Sequence, residues 1–159
     1  MRDVVKEILV SAPQEYCFAQ FTEHADGWWP PTHKLVPGTR TEISFDQRVG
    51  GVYSERDADG NTARWGTVLS WEPPRFLRMT WSIDGRWRPI DDDSKASAIE
   101  VTFAAHGEQT QVTLAHVDLE KHGADAEMIY QALSSGSASG ETLERFAAYC
   151  DAKFSEVRV

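Results

Sequence analysis

Residues 75–83 read RFLRMTWSI, with Leu77, Met79, Trp81 and Ile83 at every second position and Arg78, Thr80 and Ser82 between them. Successive side chains of a strand point to opposite faces, so this alternation predicts a strand with one buried and one solvated side. Such a strand needs neighbours to bury its apolar face. The same period of two runs from residue 40 to residue 117, broken at Gly50-Gly51, Asp59-Gly60-Asn61, Pro73-Pro74, Asp91-Asp92-Asp93 and His106-Gly107. Turn residues between alternating runs predict an antiparallel meander. In AIEVTF the inward set is Ile99, Val101 and Phe103, and in QVTLAHV Val112 and Leu114 share their face with His116.

The flanks have a different period. VVKEILV at residues 4–10 predicts a further strand, running into Ser11-Ala12-Pro13-Gln14, where Ser11 caps a helix, Gln14 closes the capping box and Pro13 fits the first turn. Cys17, Phe18 and Phe21 form the apolar stripe of that helix, which ADGWWPPTHK then interrupts. Near the other end, ETLERFAAYCDAKF places Leu143, Phe146, Cys150 and Phe154 at helical spacing between charged residues. Before it lies SSGSASG (134–140), whose small residues disfavour helix and predict a more open or mobile edge there. These elements predict an α+β fold: a curved antiparallel sheet of about seven strands wrapped around a long C-terminal helix, with short helices after the first strand. A cleft between sheet and helix follows from that geometry.

A length of 159 residues fits one domain spanning the whole chain, 1–159. The net charge is −9 and the 16 basic residues form no Lys/Arg run, which argues against nucleic acid as a partner. No stretch has the length of a membrane span, and the N-terminus shows no signal peptide, so the expected location is cytoplasmic. Cys17 and Cys150 each sit in an apolar helical pattern and read as buried small hydrophobes rather than a disulfide framework.

Six tryptophans form a surplus, four of them (Trp65, Trp71, Trp81, Trp87) in or beside the sheet. Aromatic rings there can fill the core or line a site for a planar ligand. Trp65 and Trp71 share strand parity with Leu69 and are expected to face inward with it. The candidate cavity residues are Trp28, Trp29, Phe45, Tyr53, Trp65, Met79, Trp81, His116 and Phe146. Of the adjacent pair Trp28 and Trp29, a helical path lets only one face the pocket. His116 is the polar residue of interest, able to bond a ligand as a neutral imidazole or to be satisfied within the core. No histidine, cysteine or acidic spacing matches a metal site, the run Asp91–Asp93 reads as a solvated loop, and no cofactor is expected. No nucleophile or phosphate-loop motif occurs. Acid–base chemistry by Glu55, Arg56, Tyr53 or His116 stays open, although Glu55 and Arg56 point to opposite faces of one strand.

Trp28-Trp29, Gly50-Gly51, Gly66-Thr67-Val68, Glu72-Pro73-Pro74-Arg75, Thr80-Trp81 and Thr113-Leu114-Ala115-His116, in that order, resemble the SRPBCC superfamily. The match is closest to its branch named for activator of heat shock protein 90 ATPase homologues, similar in fold to START lipid-binding domains and polyketide cyclases. The resemblance implies a helix-grip fold, with Trp28-Trp29-Pro30-Pro31 by the cavity mouth. One departure is that the final helix lacks the Gly-Trp with which this branch commonly opens it. The expected function is a protein that binds a small apolar or aromatic molecule, as monomer or homodimer. A cavity enzyme of the polyketide-cyclase or hydrolase kind is the alternative. A partner of the heat shock protein 90 chaperone ranks third, because the expected single helix-grip domain leaves no place for a separate chaperone-activating one.

Overall fold

Seven strands form one antiparallel sheet in a computed structural model that describes residues 2–134 and 139–157. The strands are β1 (Val4–Val10), β2 (Arg40–Phe45), β3 (Val52–Asp57), β4 (Thr62–Glu72), β5 (Phe76–Trp81), β6 (Ser97–His106) and β7 (Gln109–Val117). Their spatial order is β1-β7-β6-β5-β4-β3-β2, a meander in which the first strand closes against the last. The sheet curls, and its concave face holds α1 (Gln14–Glu23) and α3 (Ser139–Val157), with α2 (Ala126–Ser134) at one end. The α+β helix-grip architecture is therefore as expected. Residues 135–138 of the Ser/Gly-rich stretch, and with them the expectation of an open edge there, lie outside the described residues.

The concave side divides into two regions. At one end Cys17, Phe18 and Phe21 of α1 meet Leu77, Val101, Phe103 and Val112 of the sheet and Phe146 and Cys150 of α3, all buried. Phe21 packs edge-on to Phe103 and to Phe146, with centroids 5.7 and 5.3 Å apart, a favourable aromatic geometry. Both cysteines are buried free thiols. Toward the other end the inward rows continue as Met79, Ile99 and Leu114, which face α2 and the start of α3 across unfilled space.

Three local readings need correction. Ser11 does not cap α1: its own N–H donates to Asp151 at 2.8 Å, while Gln14 donates to the Phe103 carbonyl at 2.6 Å, so tertiary partners displace the local capping box. Strand β4 carries two bulges, one where Tyr53 pairs Gly66 but Ser54 pairs Arg64, and one where Val68 pairs Met79 but Ser70 pairs Arg78. Each extra residue shifts the parity by one. Trp65 is buried, Leu69 is 39% exposed and Trp71 is only partly buried, so these three do not share an inward face. Thr80 and Ser82 are buried rather than wet, because the segment after β5 folds back over the convex face. There the Asp93 carboxylate accepts the hydroxyls of Ser82 (2.7 Å) and Thr67 (2.6 Å) and pairs with Arg64 at 3.1 Å. Asp93 is thus a structural anchor, not part of a solvated run.

Candidate functional site

The unfilled space is a cavity of about 120 Å³ between β5, β6 and β7 on one side and α2 with the start of α3 on the other. Its inner wall is Trp28, Trp29, Met79, Ile83, Ile99 and Leu114, all buried, with Trp81 beside them. The mouth is formed by Trp87, 43% exposed, and Met128, 50% exposed, with Asp84, Gly85 and Thr142 at the rim. The wall is mainly aromatic and aliphatic, as sites for flat apolar molecules are.

Local chain geometry sets the tryptophans. After α1 a single 3-10 turn (Ala25–Gly27) leads to Trp28 at φ −130°, ψ −14°, outside any helix. The two adjacent indoles consequently turn to the same side, and both line the cavity, against the expectation that only one could. They stand at its floor rather than its mouth: Trp28 donates Nε1–H to the Gln20 carbonyl at 3.2 Å and Trp29 donates to the His33 carbonyl at 3.2 Å. Trp87 occupies the mouth instead. Its backbone has φ 62°, a left-handed conformation unusual for a bulky residue. The turn is held by Asp84, whose carboxylate accepts the N–H groups of Arg86 (2.8 Å) and Arg88 (2.9 Å). Burial pushes the Asp84 carboxyl up, but these donors and the Arg88 guanidinium outweigh it, and the group is held below the usual range. The Trp87 ring sits edge-on to Trp81 (6.2 Å) and Trp65 (6.1 Å) and 5.2 Å from the His33 ring.

Of the nine residues expected at the site, Trp28, Trp29, Met79, Trp81 and His116 lie on the cavity wall. Phe45, Tyr53, Trp65 and Phe146 do not; they are buried in the packed core behind it. Phe45 stacks on Tyr53 at 5.1 Å, and the Tyr53 hydroxyl donates to the Thr80 carbonyl at 2.5 Å. Trp65 donates to Glu55, and Phe146 packs against Trp28. Glu55 and Arg56, weighed for acid–base chemistry, are likewise off the wall.

His116 is 1% exposed and lines the cavity. Its Nε2 lies 2.7 Å from the Ser97 hydroxyl, and the same hydroxyl lies 2.7 Å from Nε2 of His122. Among the described residues Nδ1 of His116 has no hydrogen-bond partner, which leaves it to whatever occupies the cavity. Burial, and secondarily the His122 ring, lower the His116 pKa to about 3, so the ring is neutral at ordinary pH. Burial lowers His122 as well, against the opposing pull of Asp125 and Asp84. Ser97 could have been found by parity, since it precedes Ile99 by two on the inward row. His122, Asp84, Trp87 and Met128 have no such signal, because they come from loops and a helix that meet the sheet only in three dimensions. Among the described residues no cluster of three or more His, Cys, Asp or Glu side chains could hold a metal ion, and no helix is long and apolar enough to cross a membrane.

The profile of the family described as Activator of Hsp90 ATPase homolog 1-like protein matches residues 11–151. The chain belongs to this family. Among solved structures an anthrahydroquino-γ-pyrone synthase, Txn09, determined as a complex, is 47% identical to this Activator of Hsp90 ATPase homolog 1-like chain. That match covers 94% of this chain and 97% of Txn09, with a TM-score of 0.67. Protein NE0264 from Nitrosomonas europaea (16% identity, 96% of both chains, TM-score 0.69) shares the fold. So does MLL2253 from Mesorhizobium loti (19% identity, 94% of this chain and 97% of that one, TM-score 0.67). No curated protein matches the chain.

Proposed function

We propose that this protein is a ring-forming enzyme that binds a planar polycyclic aromatic substrate of the anthrahydroquinone type and closes an oxygen heterocycle on it. The observation that carries the reading is the unpartnered Nδ1 of a neutral, buried His116 in a cavity walled by indoles. Closing a γ-pyrone joins a ring hydroxyl oxygen to an electron-poor side-chain carbon. With an alkynyl ketone side chain, already at the oxidation level of the pyrone, the O–H bond breaks, its proton passes to a base and the C–O bond forms. The displaced π electrons move onto the side-chain carbonyl oxygen, and the resulting enolate carbon takes the proton back. An aromatic wall orients the flat substrate, and His116 is placed to be the base. The 47% identity to Txn09 over nearly the whole of both chains supports the same conclusion.

The cavity volume also speaks to how such a substrate sits. An engineered cavity of about 150 Å³ holds benzene, so the 120 Å³ here offers space for one ring at most. A tricyclic substrate therefore extends through the mouth between Trp87 and Met128, or displaces them. The test is incubation of the purified protein with an anthrahydroquinone carrying a hydroxyl beside an alkynyl ketone side chain, followed by liquid chromatography and mass spectrometry. The γ-pyrone product is expected, with His116→Phe lowering kcat by about 10²–10⁴.

The second reading is a binding protein that holds such a molecule unchanged. The mainly apolar wall favours it. Saturable quenching of tryptophan fluorescence by the substrate with no product formed would establish it in place of the enzyme. The chaperone-partner reading rests on the family's description alone.

A further inference from the structure

The geometry assigns Ser97 and His122 to a proton relay with His116, carrying a proton from the cavity ligand to the His122 ring. Its consequence for turnover rests on the function proposed above. The direction of the relay follows from the backbone. The Ser97 N–H donates to His122 Nε2 at 3.0 Å, so that nitrogen is an acceptor and the neutral ring carries its hydrogen on Nδ1. The 2.7 Å contact between Ser97 Oγ and the same Nε2 then has only the serine hydrogen available to it. With that hydrogen committed, the 2.7 Å contact between Ser97 Oγ and His116 Nε2 needs a hydrogen on His116. His116 is therefore the Nε2–H tautomer, and its cavity-facing Nδ1 is a lone pair. At the far end, His122 Nδ1 is the one buried side-chain nitrogen or oxygen among the described residues that has no partner.

These directions line up. When His116 Nδ1 accepts a proton from the ligand hydroxyl, Nε2 gives its proton to Ser97 Oγ, Ser97 gives its own to His122 Nε2, and His122, whose buried Nδ1 keeps its hydrogen, holds the added proton. His116 and Ser97 each gain one proton and lose one, and His122 gains the one the ligand gave up. His116 thus never holds a full charge in its apolar surroundings, where an imidazolium is costly. The charge lies instead on His122, where the Asp125 and Asp84 carboxylates offset part of the cost of burial. In the shifted state the Ser97 N–H faces a protonated His122 nitrogen, and this mismatch drives the proton back once the ring has closed. Ser97 and His122 are positioning residues, acting through His116.

Long-range 1H–15N correlation spectra of 15N-histidine-labelled protein, recorded without ligand, test the relay apart from any activity. The expected result is the Nε2–H tautomer for His116 and Nδ1–H for His122, with Ser97→Ala allowing both tautomers of His116. A His116 hydrogen on Nδ1 overturns the relay even if the protein proves to be a synthase. His122→Gln keeps an acceptor for the Ser97 N–H but cannot take and release a proton. With wild-type thermal stability, it is expected to lower kcat about tenfold or more and change the solvent isotope effect while KM stays within about twofold. Wild-type kcat in that variant also overturns the relay. If the wild-type protein converts no substrate, the function above falls and the tautomer spectra alone decide.

Discussion

The Trp65 indole N–H donates to the Glu55 carboxylate at 2.9 Å in the interior of the protein, joining a bulge residue of β4 to β3. The same carboxylate accepts the N–H groups of Leu35 (2.7 Å) and Val36 (2.9 Å), and the Arg40 guanidinium stands 3.9 Å away. Arg40 in turn donates to the carbonyls of His33 (2.8 Å) and Trp29 (3.1 Å). One buried acid thereby holds the loop that brings Trp29 to the cavity.

Removing that acid is expected to be costly. Glu55→Ala leaves three N–H donors unsatisfied and the Arg40 charge unpaired, for a loss of about 3–5 kcal/mol. Glu55→Gln keeps an acceptor and should lose about 2 kcal/mol. Denaturant unfolding measures both, and equal stability of the alanine variant and the wild type would show that the carboxylate is not the anchor described.

At Gly66 the backbone of β4 lies against β5. A Cβ there would collide with the Thr80 carbonyl and come within 2.6 Å of its Oγ1 and 2.8 Å of the Tyr53 ring. Gly66→Ala should cost about 1–3 kcal/mol through overpacking, and the Tyr53 hydroxyl bond to Thr80 should weaken with it. The thermal unfolding midpoint reads the effect directly.

Trp87 combines a left-handed backbone with a half-exposed ring at the mouth. Glycine adopts that backbone without strain, a relief of about 1–2 kcal/mol, which in Trp87→Gly offsets the missing edge-on packing of the indole. Stability should change by less than about 1 kcal/mol, whereas affinity for a flat aromatic ligand should fall about tenfold and dissociation should speed up. Stopped-flow fluorescence separates the rates. A large loss of stability instead would make Trp87 a core residue rather than part of the mouth.

The lowered pKa of His116 predicts a pH dependence whose sign is fixed. In the unfolded chain the ring takes up a proton near pH 6.5, while in the fold it stays neutral down to about pH 3. The unfolded state therefore binds more protons in this window, and stability falls as pH drops through it, by up to about 1.4 kcal/mol per unit. The lowered carboxyls of Asp57, Asp84 and Asp93 contribute in a separate, more acidic window, below their ordinary value of 3.8. Unfolding free energies of wild type and His116→Phe between pH 7 and 4 should diverge in slope; parallel curves would contradict the neutral buried ring.

Elements whose cause is local were legible in the residue order. The alternation of Leu77, Met79 and Trp81 needs only the two-residue pleat, and the turns at Asp59-Gly60-Asn61 and His106-Gly107 need only their own φ values, so the meander and its inward rows could be read directly. His116 was placed on the inward face of β7 by the same parity, opposite Ile99. Leu143, Phe146 and Cys150 likewise identified the buried stripe of α3.

What the sequence determined by itself is the seven-stranded meander, the covering helix and the presence of aromatic and imidazole groups on the concave side, because each follows from short-range periodicity. What only the tertiary structure decided is which of those groups line open space. Two bulges in β4 broke the parity that would have put Leu69 inside, and a 3-10 turn turned both Trp28 and Trp29 to one side. The packing of α1 and α3 over one end of the sheet filled it with Phe146 and left the other end open beside His116. The contact of His116 with Ser97 and His122 joins β7, β6 and the segment after β7. No local pattern encodes it, because it depends on how a curled sheet brings distant residues to within hydrogen-bonding reach.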